Sequence, residues 1–291
     1  MKNKIILFFS LGLLSLVCTI YVFAFPDKGH NFCVLFYGQP IFIHDGIDLS
    51  GKNIPYSRIN FELGELRDVN FSNSYLCWSD LDETRFINCS FRRANLAYVT
   101  APFSSFENCD FTDAIVGGSN ITISNEQLFS TESFKHKRLP GYRFCGDLSG
   151  VDFSGFDLKG ASFLAATLTD CKFFNADIAG CSFRESATKE QLFSTRDFRS
   201  GNVIGVYLWA IDFSDSDLSK MNFTNSKLYT NLLNVNLSDS VITGCYFDKS
   251  ENLTLAQIKS TWNYKVGRME GIKLPKEIQD ALDAEKEVSD E

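Results

Sequence analysis

The chain has 291 residues, 44% of them hydrophobic, at a mean hydropathy of −0.08. That is enough apolar material for a large buried core, which excludes disorder as a description of the whole. A net charge of −8 and a pI near 5.0 argue against a binder of nucleic-acid backbones, which needs a basic face. Phe outnumbers Tyr and Trp together, 28 against 10 and 3, so most rings carry no polar group that burial would strand.

Lys2 and Lys4 precede an uncharged, mostly apolar run of 21 residues from Ile5 to Phe25. The basic start keeps that end cytoplasmic and sends the chain beyond the run across the membrane. Val22-Phe23-Ala24 offers branched or small residues at the two positions a signal peptidase reads. The run also approaches the ~20 residues of a spanning helix. Residues 1–25 are therefore read as a signal peptide or a membrane anchor, and the remainder as exported: periplasmic, extracellular or membrane-anchored. Residues 26–58 are read as an N-terminal cap.

A period of five organises most of the remaining chain. Every fifth position from Phe61 to Ile121 is apolar, thirteen in a row, including Leu66, Phe71, Phe91 and Phe111. Chance gives that run a probability on the order of 10⁻⁵. Two residues before each stands an uncharged and mostly small residue, such as Ser74, Cys89, Ala94 or Cys109. Five is neither a helical nor a strand period. It fits a coil that turns a corner every five residues, each side sending one large and one small side chain inward. The pattern resumes from Leu148 to Phe183 and again from Leu208, losing one residue near Leu232 to Leu237 before it reaches Phe247.

Ala94-Asn95-Leu96 and Ala176-Asp177-Ile178 are close copies of the Ala-(Asp/Asn)-Leu-x-x unit of pentapeptide-repeat proteins, which residues 47–250 resemble. The resemblance implies an all-β solenoid: a right-handed, four-sided parallel β-helix with twenty residues per coil. Stacked coils shield one another's Leu and Phe, each contributing roughly 1.5–3 kcal/mol. About seven to eight coils make a rod on the order of 35 Å long at ~4.8 Å per rung.

Three segments interrupt or succeed the repeats: Ser124–Thr131, Thr188–Thr195 and Thr254–Thr261. Each opens with Ser or Thr and carries Gln three residues on (Gln127, Gln191, Gln257), the signature of a capping box. The signature predicts short helices starting at Ser124, Thr188 and Thr254, with Phe134, Phe198 and Tyr264 packing them down. Pro275 opens an acidic C-terminal helix. The resulting division is block 1 over 59–123, a helical insert over 124–143 and block 2 over 144–187. A second insert over 188–202, block 3 over 203–253 and a helical C-terminal cap with an acidic tail over 254–291 complete it.

The chemistry-bearing residues form no motif. His30, His44 and His136 are scattered, and no nucleophile elbow, phosphate loop or dinucleotide fingerprint occurs. Asp80, Asp82 and Glu83 lie together, as carboxylates do on any repeat surface. Cys89 and Cys109 are stacked in neighbouring coils with parallel side chains and are read as reduced, buried thiols. The expectation is a non-enzymatic extracytoplasmic scaffold or interaction module, with no cofactor, no metal, no nucleic acid and an unidentified protein or glycan partner. The membrane enters only through an uncleaved N-terminal segment. Two alternatives stand: an acidic DNA mimic that inhibits a nucleic-acid enzyme, which export opposes, and a polysaccharide-processing β-helix enzyme. The twenty-residue coil puts Trp78 under Tyr98 with Tyr75 beside them, a candidate interaction patch unless an insert or the Phe32–Phe42 segment folds over it.

Overall fold

The computed structural model describes residues 23–24, 32–36, 39–57, 59 and 64–289. The signal or anchor read in residues 1–25 lies outside them apart from the backbone of Phe23 and Ala24. Among the described residues no helix is long and apolar enough to cross a membrane.

Strand β1 (Phe23–Ala24) pairs antiparallel with β2 (Phe32–Phe36), which pairs antiparallel with β3 (Gln39–Ile43). From there the backbone pairs only in parallel. Strands β4 (Glu65–Arg67), β5 (Arg85–Ile87) and β7 (Ser105–Glu107) run in register, Glu65 beside Arg85 beside Ser105. Strands β6 (Thr100–Ala101) and β8 (Asn120–Ile121) pair likewise. Single bridges join Asn70 to Ser90 to Asp110, Tyr75 to Asn95 to Ile115, and Asp80 to Thr100. Four ladders therefore run side by side, and between Glu65 and Ile121 each rung lies twenty residues from the last. Each is closed by alternating bonds: Phe71 N–H donates to the Ser90 carbonyl at 2.7 Å, and Ser90 N–H to the Val69 carbonyl at 2.9 Å.

This circuit explains the repeat unit. The centre residue points inward, and from Leu66 to Ile121 all twelve centres are buried; Phe61 lies outside the described residues. Phe91 stacks between Phe71 and Phe111 at 5.0 Å on either side and meets Phe86 and Phe106 edge-on. The Asp or Asn before each centre folds its side chain back onto the turn. Asn70 accepts the Ser72 N–H at 3.0 Å, Asp110 that of Thr112 at 2.8 Å and Asp217 that of Ser219 at 3.0 Å. Polar residues in the small inward slot turn their hydroxyls onto carbonyls, as Ser104 does to Leu81 at 2.6 Å and Ser226 to Val203 at 3.0 Å. Two residues on from most centres the backbone is left-handed, usually at Asp, Asn or Gly.

The coil is not uniform. Asp48 and Asn53 already pair with Asn70 and Tyr75, 22 residues on, so the ladder starts ahead of the Ile59 to which the period of five points. Strands β9 (Arg143–Asp147), β10 (Ser162–Thr167), β11 (Ser182–Phe183), β12 (Tyr207–Asp212) and β13 (Lys227–Asn231) form one parallel sheet in chain order. The residue missing between Leu228 and Leu232 shortens one coil: Asp217 pairs with Asn236 and Asn222 with Val241, nineteen residues on.

Each insert holds two short helices where one was expected. They are α1 (Asn125–Ser130) with α2 (Glu132–Lys135), α3 (Lys189–Phe193) with α4 (Arg196–Ser200), and α5 (Leu255–Ser260) with α6 (Trp262–Lys265). Ser124, Thr188 and Thr254 are the first N-caps, each in a complete capping box; Thr131, Thr195 and Thr261 are the second, fully buried. The box glutamine does more than cap. Gln127 Nε2 donates to the carbonyls of Phe106 and Cys109, Gln191 Nε2 to those of Leu168 and Cys171, and Gln257 Nε2 to those of Leu232 and Val235. Those carbonyls would otherwise lose their ladder partners where the chain leaves the coil. The second helix rejoins the ladder through Glu132, Arg196 and Trp262, whose N–H groups donate to Ala114, Ala176 and Ser240. One residue further, Ser133, Asp197 and Asn263 offer a side-chain oxygen to the N–H of Val116, Ile178 and Ile242 at 3.0, 2.7 and 2.7 Å. The helix pairs are thus sides of the coil. Helix α7 (Lys276–Ser289) then covers the last coil with Ile278 and Leu282.

The packing makes stability testable at three positions. Phe91→Ala removes a ring buried among four others and is expected to cost about 3–5 kcal/mol in denaturant titration. Phe103→Ala, at a ring 77% exposed, stays within about 0.5 kcal/mol. Asp197 is the one charged member of its trio, and its pKa is held above the ordinary carboxylate value by burial first, with the Asp177 charge adding to it. A carboxyl raised in the fold destabilises it above the unfolded value of ~4, and that cost vanishes below. Asp197→Asn keeps the acceptor oxygen, as Asn263 does, so its melting temperature should exceed wild type at pH 7 and converge with it near pH 3. An unchanged or lower value at pH 7 would contradict this.

Candidate interaction surface

The corner phase of the coil decides which side chains stack outside it. Trp78 and Tyr98 occupy the left-handed corner position of successive coils, at φ 62° and 58°, and Tyr56 has the same conformation at φ 56°. A bulky side chain in that region is a true outlier, costing roughly 1–2 kcal/mol. The coil rise superimposes the rings: Trp78 stacks on Tyr98 at 4.2 Å and 11°, and Tyr56 lies 6.4 Å from Trp78 at 10°. All three are exposed, at 66, 53 and 50% in chain order. Tyr75 sits on the adjoining side, between Asn53 and Asn95 in its ladder, and is 44% exposed.

The next corner above Tyr98 is Gly118, and Gly141 comes after it. A Cβ on Gly118 would stand 2.5 Å from the Tyr98 ring, and one on Gly141 would stand 3.3 Å from the Gly118 Cα. Both glycines have positive φ, so the column ends on bare backbone over which the Tyr98 ring lies. Beside it opens a cleft of about 360 Å³, flanked by Tyr98, Ile115 and Pro140 and by Glu132, His136 and Arg138 at and beyond α2. Glu132 and His136 pair at 2.8 Å across one turn. Ring faces beside a charged rim offer stacking and hydrogen bonding together, as recognition of a sugar or a protein loop requires.

The sequence does not single out Tyr56 or Arg138, and it offers His136 only as one of three scattered histidines. The first coil's 22-residue rise breaks the phase that would have placed Tyr56 under Trp78, and the insert separates the cleft residues from Tyr98. Two of the three carboxylates noted in sequence serve the backbone: Asp80 accepts the Asp82 N–H at 3.0 Å and Asp82 the Phe103 N–H at 2.8 Å. Cys89 and Cys109 are unbonded and buried, each thiol 3.5 Å from backbone carbonyls. The Cys89 thiol beside it and burial push Cys109 up, and burial pushes Cys245 up to about 12. Among the described residues no His, Cys, Asp and Glu group is arranged to hold a metal ion.

The pentapeptide repeats family model matches residues 70–101, 89–122 and 147–184, with eight copies. The chain carries pentapeptide repeats over these segments. No curated protein matches it. Among solved structures it is similar to HetL, a pentapeptide repeat protein involved in heterocyst differentiation regulation from the cyanobacterium Nostoc sp. strain PCC 7120. That likeness has 13% identity and a TM-score of 0.23 over 79% of this chain and 86% of that chain. It is also similar to full-length QnrB1, a plasmid-mediated fluoroquinolone resistance protein, at 18% identity and a TM-score of 0.24 over 84% of this chain and 98% of that one.

Corner strain and ring stacking are of similar size, since a stacked pair contributes about 0.5–1.5 kcal/mol. Trp78→Asn, which places a residue suited to the left-handed corner, should change stability by less than about 1 kcal/mol. Gly118→Ala should cost about 1–2 kcal/mol and displace the Tyr98 ring. Near-UV circular dichroism from the Trp78–Tyr98 stack should collapse in both, and an unchanged signal in Gly118→Ala would contradict the geometry.

Proposed function

We propose that this protein is a non-enzymatic binding rod that works outside the cytoplasm. Its Tyr56–Trp78–Tyr98 column and the adjoining cleft contact a protein or glycan partner. One observation carries the reading. Three large rings stand exposed and in stack at corners whose backbone disfavours them, where the coil elsewhere mostly uses Asp, Asn and Gly. Strain held at an exposed site is the mark of a position kept for contact rather than for folding. Packed rings also offer contact area at little entropic cost.

The rod itself we take to be the right-handed, four-sided β-helix of the family, a reading supported by four ladders per twenty residues. Export rests on the basic start and apolar run of residues 1–25, acting as a cleaved signal or as an anchor. The turn-bound carboxylates of Asp80 and Asp82 favour the non-enzymatic role.

Two measurements test it. Fractionation of producing cells should find the full chain in the membrane or exported fraction; a wholly cytoplasmic protein would overturn the export reading. The Trp78→Asn, Tyr98→Asn variant should melt within a few degrees of wild type. It should lose at least about tenfold in retention of the partner identified by in-cell cross-linking or on a glycan array. Undiminished retention by a folded variant would remove this surface from the function.

A further inference from the structure

A second surface of different chemistry lies at the other end of the rod. The outward residues of one side read Tyr207, Lys227, Tyr246 and Lys273 on four successive rungs, each paired with the next. Beside them, Trp209 of β12 pairs with Tyr229 of β13. The rings of Tyr207, Trp209 and Tyr229 form a cluster with centroids 5.7–6.0 Å apart, all near perpendicular.

Three lysines lie on these rings. Lys227 Nζ stands 5.7 Å from the Tyr207 centroid and 5.4 Å from that of Tyr246, and Lys273 Nζ stands 4.8 Å from Tyr246. Lys249 Nζ straddles Trp209 and Tyr229 at 5.6 and 5.5 Å. All three lysines are exposed, and among the described residues none of them forms an ion pair. Asp248 faces Tyr229, whose hydroxyl pKa is raised by burial first and by that carboxylate second, and Glu185 is bound to Arg184 at 3.0 Å. In a chain of net charge −8 this is a local positive surface, with its cations held in place by the rings they cover.

The backbone of this side is spent. The N–H groups of Tyr207, Lys227, Tyr246 and Lys273 donate to Cys181, Val206, Ser226 and Cys245. An extended peptide laid across it would find no main-chain partners, whereas a sugar chain needs only side chains. Lys227 and Lys273 stand two rungs apart, about 9–10 Å at ~4.8 Å per rung, with a ring between them. That is close to the length of a disaccharide unit.

We propose that this face binds an acidic polysaccharide, uronate carboxylates resting on the ammonium groups of Lys227, Lys249 and Lys273 that the rings hold in place. The proposal is independent of the Tyr56–Trp78–Tyr98 column.

Calorimetric titration of the full chain with hexagalacturonate tests it, alongside maltohexaose, hexaglutamate and a six-residue oligothymidylate. Hexagalacturonate should bind at least about tenfold more tightly than the other three, and less tightly as salt rises. Lys227→Gln with Lys273→Gln should weaken it about tenfold at an unchanged melting temperature, and Lys249→Gln alone should weaken it less. Lys172→Gln with Lys220→Gln, the same charge change elsewhere, should leave it intact, as should Trp78→Asn with Tyr98→Asn. No binding, equal binding of maltohexaose, tighter binding of the peptide or oligonucleotide, or equal loss in the control lysine pair would each overturn the proposal.

Discussion

Each peptide group in the coil looks for its partner one full turn away, and that demand governs the rest of the molecule. A unit of five residues spans one rung of a parallel ladder, and the chain returns to the next rung twenty residues later. Leaving a buried N–H or carbonyl without a partner costs about 1–3 kcal/mol, so every departure from the repeat needs a replacement. The departures obey that rule. Where the coil is shortened the neighbouring rungs shift together, and where the chain leaves it, side chains take over the bonds.

The helix pairs show how far substitution by side chains goes. One glutamine closes the capping box through its oxygen and two ladder carbonyls through its nitrogen, in all three inserts. Serine, aspartate and asparagine then supply the same acceptor at equivalent places. Geometry conserves the oxygen and lets the residue vary, with the aspartate carrying a burial cost that the other two avoid. Packing inside obeys the same repeat: one coil's Phe lies on the next, so each ring buries its faces against its own equivalents.

Much of this was legible in the residues because burial writes a strong pattern. An apolar residue every fifth place from Leu66 to Ile121 has no cheaper explanation than an inward row, and Ser124, Thr188 and Thr254 announced their helices through the capping box. What depends on relations between distant segments was not legible. Ser133, Asp197 and Asn263 share a role but no chemistry beyond an oxygen, so no motif links them. Tyr56 joins its column across a 22-residue offset, and Lys227, Tyr246 and Lys273 align across a shortened coil and an insert. The second helix of each insert is four or five residues long, below what periodicity resolves.

A rod that spends its backbone internally presents only side chains to a partner, and it carries two unusual surfaces. One displays neutral rings at strained corners and the other displays cations seated on rings. Both depend on the twenty-residue circuit for their alignment, so the circuit is the claim to test. Deleting residues 71–90 joins Asn70 to Phe91, removing one whole coil while returning every side to its rung. Deleting residues 71–80 joins Asn70 to Leu81, which keeps the five-residue pattern of the sequence unbroken but leaves half a coil. Thermal unfolding monitored by circular dichroism should show a single cooperative transition for the twenty-residue deletion and its loss for the ten-residue one. Equal stability of the two proteins, or unfolding of the first, would contradict the account.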